Sequence, residues 1–218
     1  MTRHFDLVVF DLDGTVMDST DTIVTCIQQA ARDLGFEAPH DSVASHVIGL
    51  GLNDALQKAI PSLKPVEYPQ LVQRYVTHWR AREHEMALFA GMRELLDEIK
   101  ARDVRLAVAT GKSRAGLDRS MTHGGLDGVF DWSRCADETH SKPHPQMLHD
   151  LMGRFMIEPE RTLMIGDTTH DSQMAVNAGV AALSVTYGAH PREQLQTVAA
   201  LAIVDSVGEL RQWLDQHG

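Results

Sequence analysis

Leu7-Val8-Val9-Phe10-Asp11-Leu12-Asp13-Gly14-Thr15 decides the fold. Four apolar residues run without interruption and stop on an aspartate, and a second aspartate and a glycine follow at once. An unbroken run of this length suits a strand buried on both faces, and Asp13-Gly14 suits a turn out of it. The two carboxylates then sit at the strand's carboxyl end.

The same grammar recurs along the chain. Leu106-Ala107-Val108-Ala109 ends in Thr110-Gly111, and Leu163-Met164-Ile165 ends in Gly166-Asp167. Residues 180–185 and, more weakly, 201–204 give two further runs, and residues 129–134 are a candidate for another. Helical patterns alternate with them at about 92–102, 113–123, 145–156, 170–178 and 206–216. Alternation of this kind predicts an α/β fold with a mostly parallel sheet. In such sheets the ligand crevice lies outside the carboxyl ends of the strands. Asp11, Thr110 and Asp167 therefore point into one crevice, and Lys142 joins them after the doubtful strand.

From about Met17 to Leu88 the alternation stops. Helical spacing is found at 20–34, 41–47, 52–60 and 68–86, with Pro61 and Pro65 as punctuation and no convincing strand. This reads as a helical insertion at 17–88 in a core made of 1–16 and 89–218.

The 218 residues carry 20 Lys plus Arg against 30 Asp plus Glu, a formal net charge of −10. That balance argues against nucleic acid and against anionic membranes, which attract basic faces. It suggests that phosphate would be handled through a cation. Hydrophobic residues make up 43%, enough for a packed core, and no run approaches a membrane span. Asp6 interrupts any apolar leader, and the two cysteines form no framework, so a cytoplasmic protein is expected.

Read for chemistry, Asp11 and Asp13 offer a nucleophile and a general acid/base two residues apart. Asp167 and Asp171, with Asp11, offer hard oxygen ligands of the kind Mg²⁺ prefers, although Asp171 also suits a helix's first turn. Thr110-Gly111-Lys112-Ser113 stands where a hydroxyl and helix-start amides could hold phosphoryl oxygens. It is not a nucleotide-binding P-loop, because position 106 is Leu rather than Gly. Lys142 could offset charge on a transferring phosphoryl group.

These four segments, in this order, resemble the motifs of the haloacid dehalogenase-like superfamily, and the 17–88 insertion resembles its helical cap of the first type. The resemblance spans nearly the whole chain and implies a Rossmann-like core. It implies that Asp11 attacks phosphorus and that Asp13 protonates the leaving oxygen and then activates water. Thr110 and Gly111 would hold the phosphoryl group and Lys142 would orient Asp11. Mg²⁺ would sit on the Asp11 carboxylate, the Asp13 carbonyl and Asp167, with Asp171 in support. Asp13 argues for phosphoryl transfer, since the dehalogenases lack an acid there. The expected protein is a Mg²⁺-dependent phosphatase of a small phosphorylated metabolite, monomeric or homodimeric. A phosphomutase of the β-phosphoglucomutase type and a non-catalytic phospho-receiver are the alternatives.

Within the superfamily the chain is most similar to the phosphoglycolate phosphatase-like subgroup, through Asp18-Ser19 and Ala90-Gly91-Met92. It departs at Gly111, where that group has Asn, and at Ile48-Gly49-Leu50-Gly51-Leu52-Asn53, where it has a cap Arg. The substrate is therefore expected to differ from phosphoglycolate, with the glycine-rich loop as a candidate specificity surface. Four further features are read as structural. Lys112 is taken as a solvated charge, His170 as a solvated helix-start residue, Tyr75 and Trp79 as packing, and His140, His144 and His149 as surface.

Overall fold

A computed structural model describes residues 5–217; Met1 to His4 of the expected 1–16 segment, and Gly218, lie outside the described residues. Among the described residues six strands form one parallel sheet: β1 (Leu7–Phe10), β4 (Arg105–Thr110), β5 (Trp132–Cys135), β6 (Thr162–Gly166), β7 (Ala181–Val185) and β8 (Ala202–Val204). Their order is β5-β4-β1-β6-β7-β8. The chain works outward from β1 in one direction and then crosses back to β6 on its other side. β1 is thus the switch point of the sheet, where a crevice is expected.

Period-two alternation builds the layers. Val8 and Phe10 of β1 pack with Leu95, Leu96 and Ile99 of α5 (Met92–Ala101) and with Leu210 and Leu214 of α10 (Val207–His217). Leu7 and Val9 face the other way, onto Met147 and Leu151 of α7 (Gln146–Phe155) and Met174 and Ala175 of α8 (Thr169–Ala178). Both faces of β1 are covered, which is why its sequence is an unbroken apolar run. The architecture is the expected Rossmann-like α/β sheet.

Between β1 and β4 lie α1 (Thr20–Asp33), α2 (Asp41–His46), α3 (Leu52–Ala59) and α4 (Tyr68–Arg82). They enclose their own apolar cluster, built on Cys26, Ile27, Ala30, Leu56, Leu71 and Trp79. The expectation of no strand in this interval fails at its two ends. β2 (Met17–Asp18) pairs antiparallel with β3 (Ala87–Leu88), so the chain leaves and re-enters side by side. Two-residue strands carry no readable period. The sixth strand also shifts, to Trp132–Cys135. It is an edge strand with Trp132 exposed, while the apolar Val129 that suggested it packs in the core as a loop residue. α6 (Arg114–His123) falls where expected, and a short α9 (Arg192–Leu195) was not anticipated.

No helix among the described residues is long and apolar enough to cross a membrane.

Candidate active site

The strand ends bring Asp11, Asp167 and Asp171 together. Each offers an oxygen within 4.8 Å of the others, and all three are buried. Lys142, itself buried, reaches into the cluster with Nζ 2.7 Å from Asp11 Oδ1 and 2.6 Å from Asp171 Oδ1. Three carboxylates face one ammonium in a region of low dielectric, which leaves an excess of negative charge.

The titration behaviour follows. Burial raises Asp11 well above the ordinary carboxylate range; Lys142 opposes this, and Asp171 and Asp167 add to it. Burial, then Asp171, pushes Asp167 up to about 7, against the Ala189 amide and the Thr15 hydroxyl. Burial alone would lower Lys142, but Asp11 and Asp171 raise it overall. The cluster therefore suits a dication. A second observation agrees: Asp11 Oδ2 is buried with no hydrogen-bond partner among the described residues. Hydrogen-bonding oxygen is not left so without a cost of about 1–3 kcal/mol. A divalent metal fits Asp11 and Asp167, whereas Asp171 is more fully engaged. Its Oδ2 accepts from the Thr168 amide (3.1 Å) and hydroxyl (2.7 Å), capping α8, and its Oδ1 holds Lys142.

Asp167 is fixed from both sides. The Thr15 hydroxyl donates to Oδ1 (2.8 Å) and the Ala189 amide to Oδ2 (2.7 Å). Gly14, at φ +79°, makes the turn that allows this approach, and a methyl there would overlap the Asp167 carboxylate.

Asp13 lies apart from the metal-type cluster. Its Oδ1 accepts from Ser19 Oγ at 2.7 Å, and Lys112 Nζ stands 3.1 Å from Oδ2. Ser19 is the residue before α1, but its hydroxyl serves Asp13 rather than the helix end. Lys112 is not the expected solvated charge. Its side chain is 11% exposed, and its ammonium also lies 4.0 Å from the Trp79 ring centroid. It runs inward because two attractive partners, a carboxylate and an indole face, stand together there.

Thr110 ends β4 fully buried, and its hydroxyl accepts from the Lys112 amide at 3.2 Å. Gly111 is where the helical segment meets the sheet. A methyl at Gly111 would overlap the carbonyl oxygens of Gly49 and Leu50, so the glycine-rich loop lies directly on this position. The Gly51 amide donates to Ser141 Oγ at 2.7 Å, one residue before Lys142. His170 is half-buried rather than fully solvated: its Nε2 donates to His46 O at 2.8 Å, as His190 Nε2 does at 3.1 Å. Burial pushes His190 down to about 4 and lowers His170. His140, His144 and His149 are exposed, as expected, and the His140 ring lies 4.3 Å from that of His144, tilted by 36°.

Asp11 and Asp13 open into a cavity of about 130 Å³ roofed by α1, α3, α4 and the 48–52 loop. A wider groove of about 550 Å³ between α6 and β5 contains none of these residues.

A sequence model described as haloacid dehalogenase-like hydrolase matches residues 8–185. The chain belongs to the haloacid dehalogenase-like hydrolases. Among relatives in this family, a Dickeya dadantii protein named "Probable phosphatase IndB" is 36% identical over 211 residues, covering 94% of this chain and 91% of its own. A phosphoglycolate phosphatase of Vibrio vulnificus is 28% identical over 217 residues, covering 95% of each. A solved structure described as a predicted phosphoglycolate phosphatase from Haemophilus somnus superposes with a TM-score of 0.88 at 25% identity, covering 98% of this chain and 99% of that one. The resemblance to phosphatases of the phosphoglycolate phosphatase-like group thus holds, and the chain is a haloacid dehalogenase-like phosphatase.

Sequence reading missed Thr15, Ser19, Ala189 and His190, and misjudged Lys112. Thr15 and Ser19 lie within eight residues of Asp11 and could have been weighed. Ala189 acts through its amide, which no side-chain pattern reveals.

Proposed function

We propose that this protein hydrolyses a small phosphorylated metabolite with Mg²⁺, through an aspartyl-phosphate on Asp11. The observation that carries the reading is the state of Asp11. It is a buried carboxylate at the switch point of the sheet, charge-paired to Lys142 on one oxygen and unpartnered on the other. Mg²⁺ on Asp11, Asp167 and the Asp13 carbonyl would offset the repulsion between carboxylate and phosphate.

The chain's own residues divide the rest. An Asp11 oxygen attacks phosphorus, the ester P–O bond breaks, and Asp13 gives its proton to the leaving alcohol. Asp13 then takes a proton from water, whose oxygen attacks the aspartyl-phosphate and releases inorganic phosphate and free Asp11. Lys142 orients Asp11 and offsets phosphoryl charge, held in place by Asp171. The Thr110 hydroxyl, the Gly111 amide and Lys142 receive the phosphoryl oxygens. Residues 17–88 act as a cap over a core of 1–16 and 89–218, excluding water from the reacting atoms. We place the enzyme in the cytoplasm, as a monomer or homodimer. Cys26 and Cys135 are free and buried, which suits a reducing compartment.

The test is inorganic phosphate release from a panel of phosphate monoesters, with Mg²⁺, with EDTA and with Asp11→Asn. Turnover that needs both Mg²⁺ and Asp11 supports the reading. Phosphate passed between hydroxyls of a sugar, with little released to water, would replace it with the mutase.

A further inference from the structure

The roof of the cavity over Asp11 and Asp13 is apolar. It is formed by Ile23, Ile27, Leu52, Ala55, Tyr75 and Trp79. The expectation that Tyr75 and Trp79 merely pack is incomplete. Their rings stack on one another at 6.5 Å and 11°, and both line the cavity.

Two cationic side chains also line this space, and each is already engaged. Lys112 lies between Asp13 and the Trp79 ring. Arg119 Nε bonds Glu83 Oε2 at 3.0 Å. A carboxylate on the substrate would meet hydrocarbon and rings, and both cations in the lining are already paired to a carboxylate. Burying an unpaired charge in this way is disfavoured, whereas a neutral apolar group gains by leaving water. Tyr75 adds a single polar handle, because its hydroxyl has no hydrogen-bond partner among the described residues.

Building on the phosphatase reading above, we propose that this wall selects a phosphate monoester whose organic part is uncharged and apolar on the side that meets Leu52, Tyr75 and Trp79. Phosphoglycolate, whose organic part is a carboxylate, is a poor substrate. The cavity of about 130 Å³ keeps the accepted group compact. For scale, an apolar cavity of ~150 Å³ admits one benzene ring.

The test compares kcat/KM for ethyl, butyl and benzyl phosphate with that for 2-phosphoglycolate, all with Mg²⁺. All four leave as primary alkoxides, so the comparison reads the pocket. Butyl or benzyl phosphate should exceed 2-phosphoglycolate by about tenfold or more. Tyr75→Ala should lower kcat/KM for that ester by a larger factor than for ethyl phosphate. Leu52→Lys, at a half-buried position, should narrow or reverse the preference by supplying the missing cation. Faster turnover of 2-phosphoglycolate than of every neutral ester overturns the proposal and leaves the phosphatase intact. A wild-type preference untouched by both substitutions overturns the assignment to this wall. No phosphate release from any ester, p-nitrophenyl phosphate included, overturns the phosphatase reading and this proposal with it.

Discussion

Lys112 Nζ stands 3.1 Å from Asp13 Oδ2 while lying against the Trp79 ring. Asp13, the proposed acid/base, is thereby tied to α4 of the helical segment through one ammonium. When the roof is seated, Asp13 has both oxygens engaged, by Ser19 and by Lys112. Lys112→Met is expected to lower kcat by about 10–100-fold, the range for losing a charged contact of about 1.5–3 kcal/mol. Lys112→Arg should restore part of it. Steady-state kinetics check this. An unchanged kcat in Lys112→Met would show that the contact is idle.

The Gly111 position predicts a second outcome. Gly111→Ala pushes against the Gly49 and Leu50 carbonyls, which belong to backbone and cannot swing aside as a side chain can. The 48–52 loop must lift from the site. A displacement of this kind costs up to about 100-fold in kcat/KM. The sheet core should persist, since the displaced loop, with Ile48 and Leu50, belongs to the apolar cluster of the helical segment and not to that of the sheet. Kinetics and circular dichroism together test it; wild-type kcat/KM would mean that the loop is not held against Gly111 during turnover.

How much of this was readable before the structure depends on where each signal lies. β1, β4 and β6 are buried on both faces, so their apolar runs stand out and the residues that follow them fall at strand ends. Asp11, Thr110 and Asp167 could be placed for that reason. β5 and the β2–β3 pair are short or exposed and leave no such trace. Lys112 illustrates the other limit. A lysine after Thr110-Gly111 looks like any surface charge. Only the meeting of α4 with the sheet shows Asp13 and Trp79 waiting for it. Contacts across the seam between 17–88 and the rest come from residues far apart in sequence, so no local pattern carries them.

Proton linkage gives a third prediction. Asp11 and Asp167 are both raised without metal, Asp167 to about 7, chiefly by burial. A raised carboxyl binds its proton more tightly in the folded than in the unfolded chain. Its contribution to stability is thus full below the ordinary carboxylate range and is lost as pH rises through the folded value near 7. In EDTA the thermal midpoint should fall between about pH 5 and about pH 8, and Asp167→Asn should flatten that fall. Mg²⁺ must displace these protons, so its affinity should drop about tenfold per pH unit per proton below about pH 7. Stabilisation by Mg²⁺ that is as large at about pH 5 as at about pH 8 would contradict the assigned ligands.

Asp13→Asn should slow turnover by about 10²–10⁴-fold, the usual span for removing a general acid/base. In the proposed mechanism, breakdown of the intermediate needs the base as much as its formation needs the acid. With an activated ester whose leaving group requires no proton, formation survives and breakdown does not. The variant should therefore accumulate phosphoenzyme.

That intermediate provides the most direct measurement. Asp13→Asn protein is mixed with Mg²⁺ and p-nitrophenyl phosphate, quenched in acid, digested and examined by mass spectrometry. A phosphoryl group is expected on the peptide spanning Asp11, and none when Asp11→Asn is added to the same protein. A phosphoryl group on any other residue, or turnover in Asp11→Asn at the wild-type rate, would contradict Asp11 as the nucleophile.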